Sequence, residues 1–518
     1  MSNVEISRSS QERVLQVATV EPPLEPRLER RSIAKPKRWT TAGLLIVMLF
    51  YLALAVGRAR TDSPGCDEGW FASPAYNLAF NGHMGTTVIE ESNLSMTSGI
   101  HRYTYWIMPL NVLIQAGWYK LFGFGLFTMR SISLVFGLIA LFAWFSIVNS
   151  MTGDSRLALL TTALIACDFV FIRGAANGRM DMMCAALNFA ALAVYVKLRE
   201  RNLSRAIFLS QCLVVASGLT HPNGLLGLVG VGVFVVAFDR RRISFRHILI
   251  GLVPYLVGAA AFAPHALNDP HLLVAQLSGN GAGRLWGLRN PLGALNSEIN
   301  ERYIGSGGAA TLKLALLAIY AASVAGALLI RRIRSHRGYQ ALLVLSAIIF
   351  VYFTLMEGTK LYLYLIQLSP ILTALLAAVI ASLWQRRVLR RWLVPAMAAV
   401  VLLNLAGTAY VIKRNSLNRN FLPAVRFLNE NMDSSARIIG TAELTFGLKR
   451  YDSLLDDKWL GYNTGATPDL IVLDPRYQQE QQAVGTRDPQ IHDYIVTLLS
   501  GGYRQVYDDG GFQIYSRR

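Results

Sequence analysis

The sequence predicts a polytopic α-helical membrane protein that ends in a small α/β domain, and three observations carry that prediction. Apolar runs of helical length recur along most of the chain, 53% of its 518 residues are hydrophobic against only 16% charged, and the composition changes after the last apolar run. Charge is too scarce for an ordinary soluble surface of this size. The net charge of +18 does not point to nucleic acid, because Lys and Arg stand in short clusters between apolar runs, where they report topology. Of four Cys, three lie in or at apolar runs (Cys167, Cys184, Cys212) and Cys66 lies in a loop; their spacing suits neither a metal site nor a disulfide framework.

Residues 1–37 are polar, carry Pro22, Pro23, Pro26 and Pro36, and run into Lys35-Pro36-Lys37-Arg38. With little apolar surface to offset ordering entropy, they read as a disordered cytoplasmic tail. The run 41–57 has no small-residue cleavage site behind it and is read as a retained span. Further runs cover 128–149, 156–172, 182–197, 205–219, 222–238, 246–266, 311–330, 340–356, 361–383 and 392–413. Several fall short of the ~20 residues that a perpendicular span needs.

The segment 106–122 decides the topology. If it spans, the basic loops Lys197-Leu198-Arg199-Glu200-Arg201 and Asp239-Arg240-Arg241-Arg242 fall outside; if it lies in the interface, they fall inside with Arg331-Arg332-Ile333-Arg334 and Arg386-Arg387-Val388-Leu389-Arg390-Arg391. The positive-inside rule selects the interfacial helix. Asn111, Gln115 and Tyr119 form a polar stripe at i, i+4, i+8, and Trp106, Trp118 and Lys120 suit a headgroup boundary. About eleven spans result, with the N-terminus in and the C-terminus out. The chain divides into the tail 1–37, a transmembrane domain 38–413 whose first outer loop is 58–127, and an outer C-terminal domain 414–518.

That C-terminal stretch mixes charge, Pro and Gly with short strands at Ala436-Arg437-Ile438-Ile439-Gly440 and Asp469-Leu470-Ile471-Val472-Leu473-Asp474. A helix over 421–431 and a last strand at Gly511-Phe512-Gln513-Ile514-Tyr515 complete its pattern. About 100 residues suffice for a small core of its own.

Unusual ionisable residues collect on the predicted outer face: Asp67, Glu68, His101, Arg102, Arg173, Arg179, Asp181, His221, His265, His271, Arg284 and Lys360. Any one of them at a span's end has a bland account, snorkelling to the headgroups. Together they describe a site at the outer leaflet where an anionic headgroup meets cations. Asp67 and Glu68 open the first outer loop within Gly65-Cys66-Asp67-Glu68-Gly69-Trp70. Glu68 also reads as an acidic first-turn residue of a short helix over 68–80, favoured by the helix dipole. Asp181 most simply pairs with Arg179 or Arg173, and His221 before Pro222 reads as a turn residue. His265 and His271 have no metal-ligand spacing.

The order of these features resembles a known family. A single span, an outer loop opening on Asp67-Glu68-Gly69 and an aromatic residue, a Tyr-Trp and Pro-Leu segment closing on Lys120-Leu121-Phe122-Gly123, and Thr128-Met129-Arg130-Ser131-Ile132 entering the next span resemble the GT-C membrane glycosyltransferases. More closely they resemble family 39, the protein O-mannosyltransferases and the aminoarabinose transferase that modifies lipid A. Gly178-Arg179-Met180-Asp181-Met182, Leu219-Thr220-His221-Pro222-Asn223-Gly224 and Lys360-Leu361-Tyr362-Leu363-Tyr364 before Ser369-Pro370 agree, so the resemblance runs over 41–382. One departure stands out: where the family often has Lys-Pro-Pro before Tyr-Trp, this chain has His101-Arg102-Tyr103-Thr104, which leaves the identity of that cation open.

The resemblance implies a GT-C fold, a sugar donor carried on polyprenyl phosphate, and Asp67 as catalytic base. The chemistry suits such a residue: an acceptor hydroxyl loses its proton as it attacks the anomeric carbon, and a carboxylate within ~3 Å can take it. The leaving lipid phosphate is already anionic and needs cations rather than a general acid. One displacement gives inversion. The candidate substrate and phosphate ligands are His101, Arg102, Arg179, Asp181, His265 and Lys360, with Tyr362 and Tyr364 as hydroxyl donors, while Glu68 orients the acceptor or a neighbouring cation. No cofactor is required, and a divalent metal is open but not expected. The expected partners are the polyprenyl-linked sugar, a lipid, glycan or protein acceptor, and membrane lipids, in a cell membrane of the bacterial inner-membrane kind. A transporter is the alternative, although only Cys167-Asp168 approaches an intramembrane charge and no internal repeat is visible. A non-catalytic sugar-lipid binding protein would keep the fold and lose the base.

Overall fold

In a computed structural model, which describes residues 38–91, 96–305, 310–433 and 435–518, all eleven apolar runs are helical. The expected disordered tail lies outside the described residues. The first span is α1 (Arg38–Ala59), and the loop after it holds α2 (Cys66–Phe80) and α3 (Pro109–Phe122). Next come α4 (Leu126–Thr152), α5 (Ser155–Cys167), α6 (Phe169–Ala175), α7 (Asp181–Leu198), α8 (Leu203–Gly218), α9 (Leu225–Phe238), α10 (Phe245–Leu267) and the non-spanning α11 (Pro270–Gly281). Four further long helices are Ala310–Leu329, Arg337–Met356, Ser369–Trp384 and Arg387–Arg414.

Among the described residues, seven helices are long and apolar enough to cross a membrane, or eight if the bent pair α5 and α6 counts as one span. Helix α8, the segment Pro222–Phe238 and the helix Ser369–Trp384 are apolar but shorter. At 1.5 Å per residue, a 16-residue helix such as α8 reaches about 24 Å, less than the ~30 Å hydrocarbon thickness. The expected eleven spans are thus seven helices of full length, the bent pair α5 and α6, and three shorter apolar helices.

Local chemistry sets the breaks. Gly153, at φ +68°, ends α4 in the left-handed conformation, and the Asp154 side chain caps α5 by accepting from the backbone N–H groups of Arg156 and Leu157. Asp168 makes the 67° bend between α5 and α6. Its carboxylate accepts from the Phe171 N–H at 2.8 Å, the Tyr320 hydroxyl at 2.8 Å and the Ser369 hydroxyl at 3.3 Å. The Phe169 N–H freed by the bend donates to Asn404 at 2.8 Å. The carboxylate of Asp168, the nearest approach to the intramembrane charge a transporter needs, is therefore tied into the helix break.

Helix α3 spans 14 residues, too short to cross, and packs on α2. Its polar stripe turns inward: Asn111, Gln115 and Tyr119 are buried, and Gln115 donates to the Gly178 carbonyl at 3.3 Å. Leu113, Leu121 and Phe122 are exposed instead. At an apolar boundary the polar face seeks the protein, so the stripe does not face headgroups as the sequence suggested.

The C-terminal region is a five-stranded sheet in the order β2-β1-β3-β5-β4, formed by β1 (Ile438–Ile439), β2 (Leu454–Leu455), β3 (Leu470–Leu473), β4 (Tyr503–Asp509) and β5 (Phe512–Arg517). Strands β2, β1 and β3 run parallel, while β5 pairs antiparallel with both β3 and β4. One core lies against the helix Leu422–Asn431 and another against Pro475–Arg487 and Pro489–Thr497. The region does not stand apart, since the described residues from 38 to 518 form one compact unit. Val88 accepts from the Asp456 N–H at 2.7 Å, and the Tyr76 and Tyr451 rings stack at 4.0 Å.

Candidate active site

The first turn of α2 explains its own sequence residue by residue. Glu68 is fully buried, and its carboxylate accepts four hydrogen bonds: Arg130 Nε at 2.8 Å, Arg130 Nη2 at 2.7 Å, the Gly178 N–H at 2.7 Å and the Gly65 N–H at 3.1 Å. Arg130 also donates to the carbonyls of Ala59 at 2.8 Å, Asp62 at 2.7 Å and Ser63 at 3.2 Å. Gly69 is required by space, because a Cβ there would stand 2.3 Å from the Ala442 carbonyl carbon. Trp70 donates through Nε1 to Asp456 at 2.7 Å, and the Arg476 guanidinium lies 5.0 Å over its ring. Glu68, Gly69 and Trp70 fix the turn in place, and Asp67 remains, its side chain 32% exposed.

Asp67 pairs through Oδ2 with Arg179 Nη1. Arg179 is buried, donates through Nε to Asp181 at 2.7 Å, and lies 5.2 Å over the Phe71 ring. One guanidinium thus bridges two carboxylates. The Arg179 guanidinium also lies 6.0 Å from the centre of the Tyr364 ring. Arg284 forks onto Glu357 at 3.1 and 3.0 Å. The buried His221 ring stands edge-on to Tyr364 at 5.5 Å and accepts from the Asn223 N–H at 3.0 Å. Burial pushes its pKa down to about 4, so the imidazole is neutral at pH 7. Beside Asp67, burial pushes the Cys66 thiol up to about 12, which leaves it a poor nucleophile. In the sheet region, burial among Asp474 and Asp456 holds the Glu443 carboxyl well above the usual range.

The structure brings together Asp67, Arg179, Asp181 and Tyr364, with Glu68 beneath them as the partner of a cation rather than of an acceptor. Lys360 is differently committed from the donor-phosphate role expected of it. Its ammonium is buried, donates to the carbonyls of Phe353 at 2.9 Å and Thr354 at 2.7 Å, and pairs with Glu298 at 3.1 Å. His101 holds the first loop together, bonding the Ile89 carbonyl at 2.8 Å and pairing with Glu91 at 3.4 Å. Arg102 is exposed and 4.0 Å from Asp269, and the His265 ring rests 4.8 Å from that of Tyr105. Tyr362 is buried beneath Arg173 and Lys313. No group of three metal-ligating side chains that could hold an ion occurs among the described residues.

Sequence reasoning placed Arg284 on the outer face without assigning it a role, and missed Arg130 and Glu357 as parts of the site. Arg130 carried a usable signal, a charge set inside an apolar run, and such charges rarely stand unpaired.

Residues 108–267 match the family model described as dolichyl-phosphate-mannose-protein mannosyltransferase, a stretch that includes Arg179 and Asp181 and begins beyond Asp67. No curated protein sequence matches the chain. Among solved structures, ArnT from Cupriavidus metallidurans bound to undecaprenyl phosphate is similar at TM-score 0.58 and 14% identity, over 92% of this chain and 98% of that one. The same protein in the apo state gives 0.54 and 15%, over 92% and 97%. The archaeal oligosaccharyltransferase AglB from Archaeoglobus fulgidus, in complex with an inhibitory peptide and a dolichol-phosphate, gives 0.58 and 14%, over 93% and 74%. At these identities the likeness carries the fold. The chain is a multi-pass membrane protein with the GT-C fold, and it resembles the GT-C glycosyltransferases ArnT and AglB and the protein mannosyltransferases.

Proposed function

We propose that this chain is an inverting glycosyltransferase that moves a sugar from a polyprenyl-phosphate donor to the hydroxyl of a lipid, glycan or protein acceptor at the outer face of the membrane. The observation that carries the reading is the bridge Asp67–Arg179–Asp181 at the half-exposed start of α2. Arg179 occupies one Asp67 oxygen and orients the carboxylate, while among the described residues Oδ1 has only the Cys66 thiol as a hydrogen-bond partner, at 3.8 Å. That oxygen takes the acceptor proton as the acceptor oxygen bonds to the anomeric carbon. The bond from that carbon to the phosphate oxygen breaks, and its electron pair leaves with the lipid phosphate. Arg284, partly exposed, and Tyr364, whose ring lies 6.0 Å from the Arg179 guanidinium, are suited to hold that anion. Asp181 offsets the charge of Arg179, so that the pair survives burial.

The solved relatives support the donor class: the ArnT structure holds undecaprenyl phosphate and the AglB structure a dolichol-phosphate. The test is incubation of the purified full-length chain with polyprenyl-phosphate sugars and membrane extract, followed by mass spectrometry of the products. Sugar gained on a hydroxyl with the anomeric configuration inverted supports the reading. Retained configuration, or no transfer from any polyprenyl-phosphate sugar, contradicts it.

A further inference from the structure

Arg173 in α6 and Lys313 near the start of the helix Ala310–Leu329 meet around Tyr362, with Arg58 at the end of α1 near Arg173. The Arg173 guanidinium lies 5.2 Å and the Lys313 ammonium 4.7 Å from the centre of the Tyr362 ring. Arg58 stands 4.9 Å over Phe169, and its charge repels that of Arg173, which in turn repels Lys313. Counter-charge is scarce. Arg173 and Lys313 have no carboxylate partner among the described residues, and Arg58 has only Asp62, at 3.4 Å, which it shares with Arg414. The nearby Asp168 is engaged by Tyr320, Ser369 and Phe171. Moreover, Arg58 is only 5% exposed, and its Nη1 is buried with no hydrogen-bond partner.

Three cations with the single carboxylate of Asp62 among them, at the end of apolar helices, are unfavourable unless an anion joins them. Topology does not account for them either, since basic residues are depleted from the side to which Asp67 is assigned. Arg173 and Lys313 are half-buried, so a ligand can reach them from the boundary. A planar guanidinium fork beside an ammonium suits the oxygens of a phosphate. We propose that Arg58, Arg173 and Lys313 form a second anion site, separate from Arg179, Arg284 and Tyr364, that holds the phosphate headgroup of a membrane lipid.

The test uses the full chain in detergent, native mass spectrometry, and dioleoyl-phosphatidylglycerol as probe, with dioleoyl-phosphatidylcholine and inorganic phosphate as comparison arms. The R173Q/K313Q variant should weaken phosphatidylglycerol retention by about thirtyfold. The charge-keeping R173K/K313R variant should recover most of it, and R284Q should leave it unchanged. Should R173Q/K313Q unfold, the single K313Q replaces it, with a smaller loss expected. Phosphatidylcholine should be held more weakly, and inorganic phosphate should not displace the lipid at equal concentration. Retention unchanged in the folded variant, or lost in R284Q alone, overturns the proposal. Displacement by inorganic phosphate at equal concentration also overturns it, assigning the cluster to a free anion.

Discussion

Replacing Glu68 by Gln keeps the side chain's shape and removes its charge, and the structure sets the consequence. The Glu68–Arg130 pair is 1% and 2% exposed, so the lost carboxylate leaves a guanidinium uncompensated in a low-dielectric site. The Gln amide also presents N–H groups to donors, Arg130 on one side and Gly178 on the other, where the carboxylate accepted from both. Breaking such a buried pair costs about 3–5 kcal/mol. Thermal unfolding in nanodiscs, followed by tryptophan fluorescence, should show E68Q well below wild type. The double variant E68Q/R130M removes the stranded charge and should lie closer to wild type than the sum of the two single losses. Because Glu68 also holds the Gly178 N–H next to Arg179, E68Q should lower kcat more than it raises the KM for donor. Wild-type stability in E68Q, or additive losses in the double variant, would refute the reasoning.

Three further outcomes follow from the same geometry. Lys360→Met should lose about 1–3 kcal/mol of stability by leaving the carbonyls of Phe353 and Thr354 without their donor, Glu298 keeping Arg302 at 2.7 Å, while donor affinity measured below the unfolding transition stays unchanged; reduced affinity at full stability would return Lys360 to the donor site. His221 has its pKa lowered from 6.5 to about 4, so between those pH values the unfolded chain takes up a proton that the folded chain refuses. Stability should fall as pH drops through that window and fall less in H221N, whereas equal slopes would assign the pH dependence elsewhere. Gly69→Ala places a methyl group against the Ala442 backbone and should loosen the sheet region from α2, which faster hydrogen exchange over residues 436–460 would register and unchanged exchange would contradict.

The spans were legible in the sequence because helix periodicity and apolar length are local properties, and the segment 361–383 needed only one adjustment, a tight stretch over Tyr362–Gln367 before its helix. Strands β2 and β4 went unread: β2 is two residues long, and β4 alternates around a register shift between Gln505 and Tyr507. The sequence singled out Asp67 by its place at the exit of the first span, and the structure leaves its side chain 32% exposed. For Glu68 the sequence left acceptor and neighbouring cation open, because the cation, Arg130, lies 62 residues away. Lys360 misled for a similar reason. A lysine at the end of a span looks like a phosphate ligand, but here it satisfies carbonyls of Phe353 and Thr354, in the last turn of the helix Arg337–Met356, that have no intrahelical partner. For α3, the pattern told which residues share a face but not which medium that face meets, and burial reversed the assignment.

The account turns on Asp67 as the base, and one comparison tests that directly: donor binding and sugar transfer measured side by side for wild type and D67N. The variant keeps the side chain's size and removes its basicity, so it should bind polyprenyl-phosphate sugar with near-wild-type affinity while transfer falls at least a hundredfold. Appreciable transfer by a folded, donor-binding D67N protein would remove Asp67 from that role.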